Sequence, residues 1–227
     1  MFNNPKTLVL AVVGGIIPSL LWLWFWLRED KKKPEPKSVL ATVFVMGVLA
    51  VICVLPVQKF IQAMTGSENL RLILWASAEE IMKFLAVLVI LYKSNLADEA
   101  IDWPIYLITA ALGFAALENV LFLIKPLSLG ETTVTLLTGH LRFLGSTLLH
   151  TVASGILGVS LGISLRVEEY KKPLYFIVGL ILSITLHSVF NFFIIRNSGS
   201  DFLKVFAFLW VVTIIVMLLF EKVRRMN

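Results

Sequence analysis

The sequence is short of charge, cysteine and histidine. Only 15% of its 227 residues are Asp, Glu, Lys or Arg, against about 25% in an ordinary globular domain; a water-soluble surface cannot be built from so few. The single cysteine, Cys53, excludes an intrachain disulfide and reads as a packing residue within an apolar segment. With three histidines in the chain, no His-Glu-x-x-His helix occurs. No serine or cysteine stands with a histidine and a carboxylate at a recognisable spacing, which argues against a covalent nucleophile. Long repeats, low-complexity tracts and polar linkers are missing too, so there is no room for a separate soluble domain.

What is present is hydrocarbon. Hydrophobic residues make up 58% of the chain, and the mean hydropathy is +0.89. Apolar runs long enough to cross a bilayer as helices, about 20 residues each, fall near 7–27, 38–57, 72–92, 104–124, 141–165, 174–195 and 202–220. The expected fold is all-α, a polytopic bundle of about seven transmembrane helices forming one domain over residues 1–227. The runs are continuous rather than alternating, which argues against a β-barrel. The first run is followed, not preceded, by positive charge and has no small-residue cleavage site, so it reads as an anchor rather than a signal peptide.

The net charge of +5 and pI near 9.4 do not point to nucleic acid, because the basic residues sit in three loops. Arg28, Lys31, Lys32, Lys33 and Lys37 occupy the first, Arg166, Lys171 and Lys172 the fifth, and Lys222, Arg224 and Arg225 the tail. With seven spans these share one side, which the positive-inside rule makes cytoplasmic. The expected placement is the plasma membrane, N-terminus outside and C-terminus inside. The third loop, "KSNLADEAIDW", is acidic on a side that should be basic. Trp22, Trp24 and Trp26 read as an interfacial belt, and His140 and Arg142 as interfacial residues.

Against this background the polar residues inside the spans stand out: Glu79, Glu80 and Lys83 in the third, Glu118 and Asn119 in the fourth, His150 and Ser154 in the fifth, His187 and Asn191 in the sixth. A charged side chain at the centre of a span costs roughly 2.5–3.5 kcal/mol on insertion scales and normally lines a wet cavity or pairs internally. At 1.5 Å rise per residue, Glu79, Glu118, His150 and His187 lie about 10, about 9, about 13 and about 12 Å below the outer edge. Four helices of alternating direction thus bring their unusual residues to one layer. Glu79/Lys83, Phe114/Glu118, His150/Ser154 and His187/Asn191 are i,i+4 pairs, each on one helix face. The stripe His150, Ser154, Gly158, Gly162 offers small residues for close helix packing.

These segments, "EEIMK", "FAALEN", "HTVAS" and "HSVFN" in this order, resemble the PrsW family of intramembrane proteases, within the superfamily of CAAX prenyl endopeptidases and bacteriocin-processing enzymes. The resemblance covers roughly residues 70–195, the expected catalytic core. It implies peptide-bond hydrolysis by water, with Glu79 as general base and Glu80 or Glu118 orienting the water. It further implies His187 and Asn191 as oxyanion donors, His150 as a second water ligand or proton shuttle, and Lys83, Asn119 and Ser154 in support. The CAAX branch typically carries histidine where Glu118 stands, which disfavours prenylated substrates. Superfamily analogy favours a metal-free glutamate route with no cofactor; the alternative is zinc on His150, His187 and a glutamate. The expected partners are the bilayer and a membrane protein or peptide substrate, and "KPLSLGETTVTLLTGH", residues 125–140, is expected to fold over or gate the site. Two other functions fit the same residues: a non-catalytic membrane scaffold, and a proton-coupled transporter.

Overall fold

A computed structural model describes residues 5–28, 33–92, 94, 96–196 and 202–226; Lys31, Lys32, Lys93 and Asn95 of the loops discussed above lie outside them. The described residues form helices α1 (Pro5–Leu27), α2 (Lys37–Met64), α3 (Glu68–Leu91), α4 (Asp102–Ser128), α5 (Thr132–Leu141), α6 (Thr147–Ser164), α7 (Lys172–Arg196) and α8 (Phe202–Arg224), with a π turn at Arg142–Ser146 between α5 and α6. No strand occurs among the described residues. Six stretches are long and apolar enough to cross a membrane. The seventh expected span, α3, misses that standard because every 18-residue window of it contains Glu79, Glu80 and Lys83. The composition of α3 is therefore set by what it carries rather than by what surrounds it.

Two stretches are interior. Their most apolar windows are 78% buried in both Asp102–Ser128 and Thr133–Ser164, against 17–33% for the other four. Helix α4 is the axis. At its contact with α2 the backbones touch: a Cβ on Gly47 would stand 2.0 Å from the Ala110 carbonyl oxygen, and one on Gly113 2.0 Å from that of Phe44. Along α6 the predicted small-residue stripe packs onto the start of α4 in the same way, with Gly158 against Pro104 and Gly162 against Ala100. Small residues at such crossings replace the hydrophobic drive that lipid cannot supply.

Several expectations change. Residues 125–140, expected to fold over or gate the site, are largely helical. Lys125–Ser128 complete α4, and Thr132–Leu141 form α5, which runs through the π turn into α6. Of the three belt tryptophans, Trp26 is buried inside the protein, its ring 5.4 Å from that of Phe220. Trp24 does stay exposed, under the guanidinium of Arg28 at 4.8 Å. Cys53 is exposed rather than packed. At the loop end of the bundle Lys33 Nζ pairs with Asp98 Oδ2 at 2.5 Å, and the Tyr106 hydroxyl donates to Glu35. The acidic third loop is thus joined to the basic first loop.

Candidate active site

Glu79, Glu80 and Lys83 lie on the inner face of α3, which Ser67 caps through the Leu70 N–H. Opposite them stand Glu118 on α4, His150 and Ser154 on α6, and Ser183 and His187 on α7. Apart from Glu118, all are buried, and hydrogen bonds join all of them but Glu79 into one cluster.

Glu80 is the hub. Its Oε1 accepts from Lys83 Nζ at 2.5 Å and His187 Nδ1 at 2.7 Å, and its Oε2 from the hydroxyls of Ser154 at 2.9 Å and Ser183 at 3.0 Å. Four donors from three helices saturate both oxygens. A carboxylate so occupied has nothing left for a water molecule.

Glu79 differs. Gln58 Nε2, from α2, donates to its Oε1 at 2.8 Å, while Oε2 is buried with no hydrogen-bond partner among the described residues. That orphaned oxygen lies 3.6 Å from His187 Nε2. Since His187 gives its Nδ1 proton to Glu80, its Nε2 is left as an acceptor. Two acceptors therefore face each other with no donor between them. A water molecule, a proton or a cation is what such a gap takes.

The His150 ring is oriented from both sides. Lys83 Nζ lies 3.0 Å from its Nδ1 and donates to it, and Nε2 points at Glu118 Oε2 at 3.0 Å. The Phe114 ring, first residue of the Phe-x-x-x-Glu segment, supports both partners, 4.9 Å from Lys83 Nζ and 5.4 Å from the imidazole. The two imidazoles meet edge to face at 5.0 Å.

The open side of the cluster is at Glu118. Its side chain is 21% exposed and that of Arg142 13%. Arg142 is not an interfacial residue, as its sequence position suggested. Its guanidinium pairs with Glu118 Oε2, and its Nε donates to Asn119 Oδ1 at 2.6 Å. Asn119 in turn donates to Thr147 Oγ1 at 2.9 Å. Asn191, half-buried one turn beyond His187, stays outside this network. His140 is exposed. The residues not anticipated are Gln58, Ser183 and Arg142.

The donor set fits a divalent metal. Glu79, His150 and His187 each offer a ligand atom, all within 4.8 Å of one another, which suits a three-ligand site with an open position. The Glu80–His187 bond is the outer-shell carboxylate such a histidine usually has. Three carboxylates face two basic side chains, Lys83 and Arg142, so the cluster has room for positive charge. His150 would have to exchange one of its two present partners to join.

Comparison with known proteins finds relatives over most of the chain. The chain is 27% identical to Protease PrsW of Geobacillus kaustophilus over 189 residues, 82% of this chain and 80% of the relative. It is 26% identical to Protease PrsW of Oceanobacillus iheyensis over 207 residues, 88% of this chain and 91% of the relative. With Protease PrsW of Bacillus subtilis the identity is 24% over 210 residues, 88% of this chain and 90% of the relative. No solved structure matches significantly. Residues 35–220, which include every residue of the cluster, match the family described as "PrsW family intramembrane metalloprotease", and the chain belongs to that family.

Proposed function

We propose that the protein is an intramembrane endopeptidase that hydrolyses peptide bonds of membrane or membrane-proximal proteins, with the water activated between Glu79 and His187. The observation that carries this is the unpartnered Glu79 Oε2 facing His187 Nε2 across 3.6 Å. Leaving a buried carboxylate oxygen without a donor is costly, and the cost is explained if the gap is a water site.

A water there donates one proton toward Glu79 and the other toward His187. As its oxygen attacks the peptide carbonyl, Glu79 Oε2 takes a proton as general base and later returns it to the leaving amine. His187 Nε2 accepts the water's second O–H and so orients the attack, and the carboxamide of Asn191, one turn beyond on α7, is the proposed donor to the tetrahedral oxyanion. Glu80 holds His187 in the tautomer this requires, and Gln58 turns Glu79 so that its unshared oxygen faces the gap. Glu79, His150 and His187 are the residues that would hold a divalent metal, which when bound supplies a more acidic water and a polarised carbonyl. The site lies on the side that the basic loops assign to the outer leaflet.

The test compares the membrane proteomes of cells expressing wild type and Glu79→Ala. New protein termini are expected in the first and not in the second; identical termini in both would remove the protease reading, leaving a scaffold or transporter. Treating the purified protein with a chelator then separates the routes. Activity lost and restored by zinc assigns the metal, and activity unchanged assigns the metal-free route.

A further inference from the structure

Arg142 opens the π turn, eight residues before His150. In an uninterrupted α-helix, at about 100° per residue, positions eight apart point about 80° away from each other. A π turn wedges in one extra residue, so the eight behave as seven and the two side chains fall within about 20° of one face. Arg142 therefore looks into the same cluster as His150. Its NH2 pairs with Glu118 Oε2 and donates to Ser146 Oγ at 3.1 Å, its Nε donates to Asn119 Oδ1 at 2.6 Å, and its plane lies 4.0 Å from the Phe122 ring. One edge of the guanidinium thus grips two consecutive residues of α4. Glu118 Oε2, held this way, is the atom that faces His150 Nε2.

We propose that Arg142 is a positioning residue of the active site, fixing Glu118 against His150 and locking α4 to the helix that carries that histidine. The role rests on the proteolytic function proposed above. It depends on a planar fork reaching two acceptors at once, so the positive charge alone is not enough: a lysine reaches one acceptor as a point charge and cannot span both.

The experiment uses full-length wild type, Arg142→Lys and Arg142→Gln in lipid nanodiscs. The substrate is a peptide spanning a terminus found in the proteome comparison. Both variants are expected to lose 10–100-fold in kcat, the order seen when outer-shell partners are removed, with KM within about twofold because no substrate contact is lost. Wild-type kcat in Arg142→Lys would overturn the proposal, and so would a raised KM at unchanged kcat. A thermal-unfolding cycle of Arg142→Gln, Glu118→Gln and the double variant needs no substrate. The double variant should lose less stability than the sum of the two single losses, since the Arg142–Glu118 contact is removed by either substitution; strictly additive losses overturn the pairing. If the cycle shows coupling while wild type cuts nothing, it is the protease function that fails.

Discussion

At the scale of single residues, the two adjacent glutamates of α3 have opposite fates. Glu80 takes four donors and Glu79 Oε2 none, so one is fixed and the other keeps an unshared oxygen. Lys83 is tied to the fixed one. Breaking a buried ion pair by removing one partner costs roughly 3–5 kcal/mol, and Lys83→Met also strips His150 Nδ1 of its donor. A clear fall in Tm is expected in detergent; an unchanged melt would mean that the pair is dispensable. Most of this cluster was legible in the sequence because a charge or imidazole in an apolar run is costly and therefore conspicuous. Gln58 and Ser183 were not, since an uncharged polar side chain costs little in a helix and leaves no such mark. Arg142 was missed for a geometric reason: straight-helix phase turns it away from His150, and only the π turn brings it back.

At the scale of elements, the positions of the helices follow from α4. Its contact with α2 is made by two glycines that leave no space for a side chain. Gly47→Val would push α2 outward against the Ala110 carbonyl and carry Gln58 away from Glu79. Overpacking of this kind costs typically 1–3 kcal/mol, and more where the obstacle is backbone. The control is Gly66→Val, where an added Cβ meets nothing within 4 Å. The first variant should fold poorly and show a lowered Tm, and the second should match wild type; equal behaviour would dismiss the contact. Helix type and number were readable from the apolar runs. Their ends were less so: α2 continues to Met64 past Pro56, since a membrane helix tolerates an interior proline.

At the scale of the whole molecule, the basic residues predict the orientation. Reporter fusions should place the C-terminus after Arg225 in the cytoplasm and an insertion at Gly130, a surface turn with positive φ, outside. The reverse readout would move the site to the inner leaflet. The acidic third loop no longer weighs against this orientation, since Asp98 is paired with Lys33 of the basic first loop. Sequence alone could not show that pairing, because the two residues are 65 positions apart.

The saturated carboxylate of Glu80 acts as a keystone. Helices α3, α6 and α7 meet on its two oxygens, so architecture and chemistry depend on the same side chain. A descendant that lost Glu79 would keep its shape and persist as an inert shell, whereas one that lost Glu80 would forfeit shape and chemistry together. In lineages that abandon proteolysis, the first glutamate should therefore erode before the second.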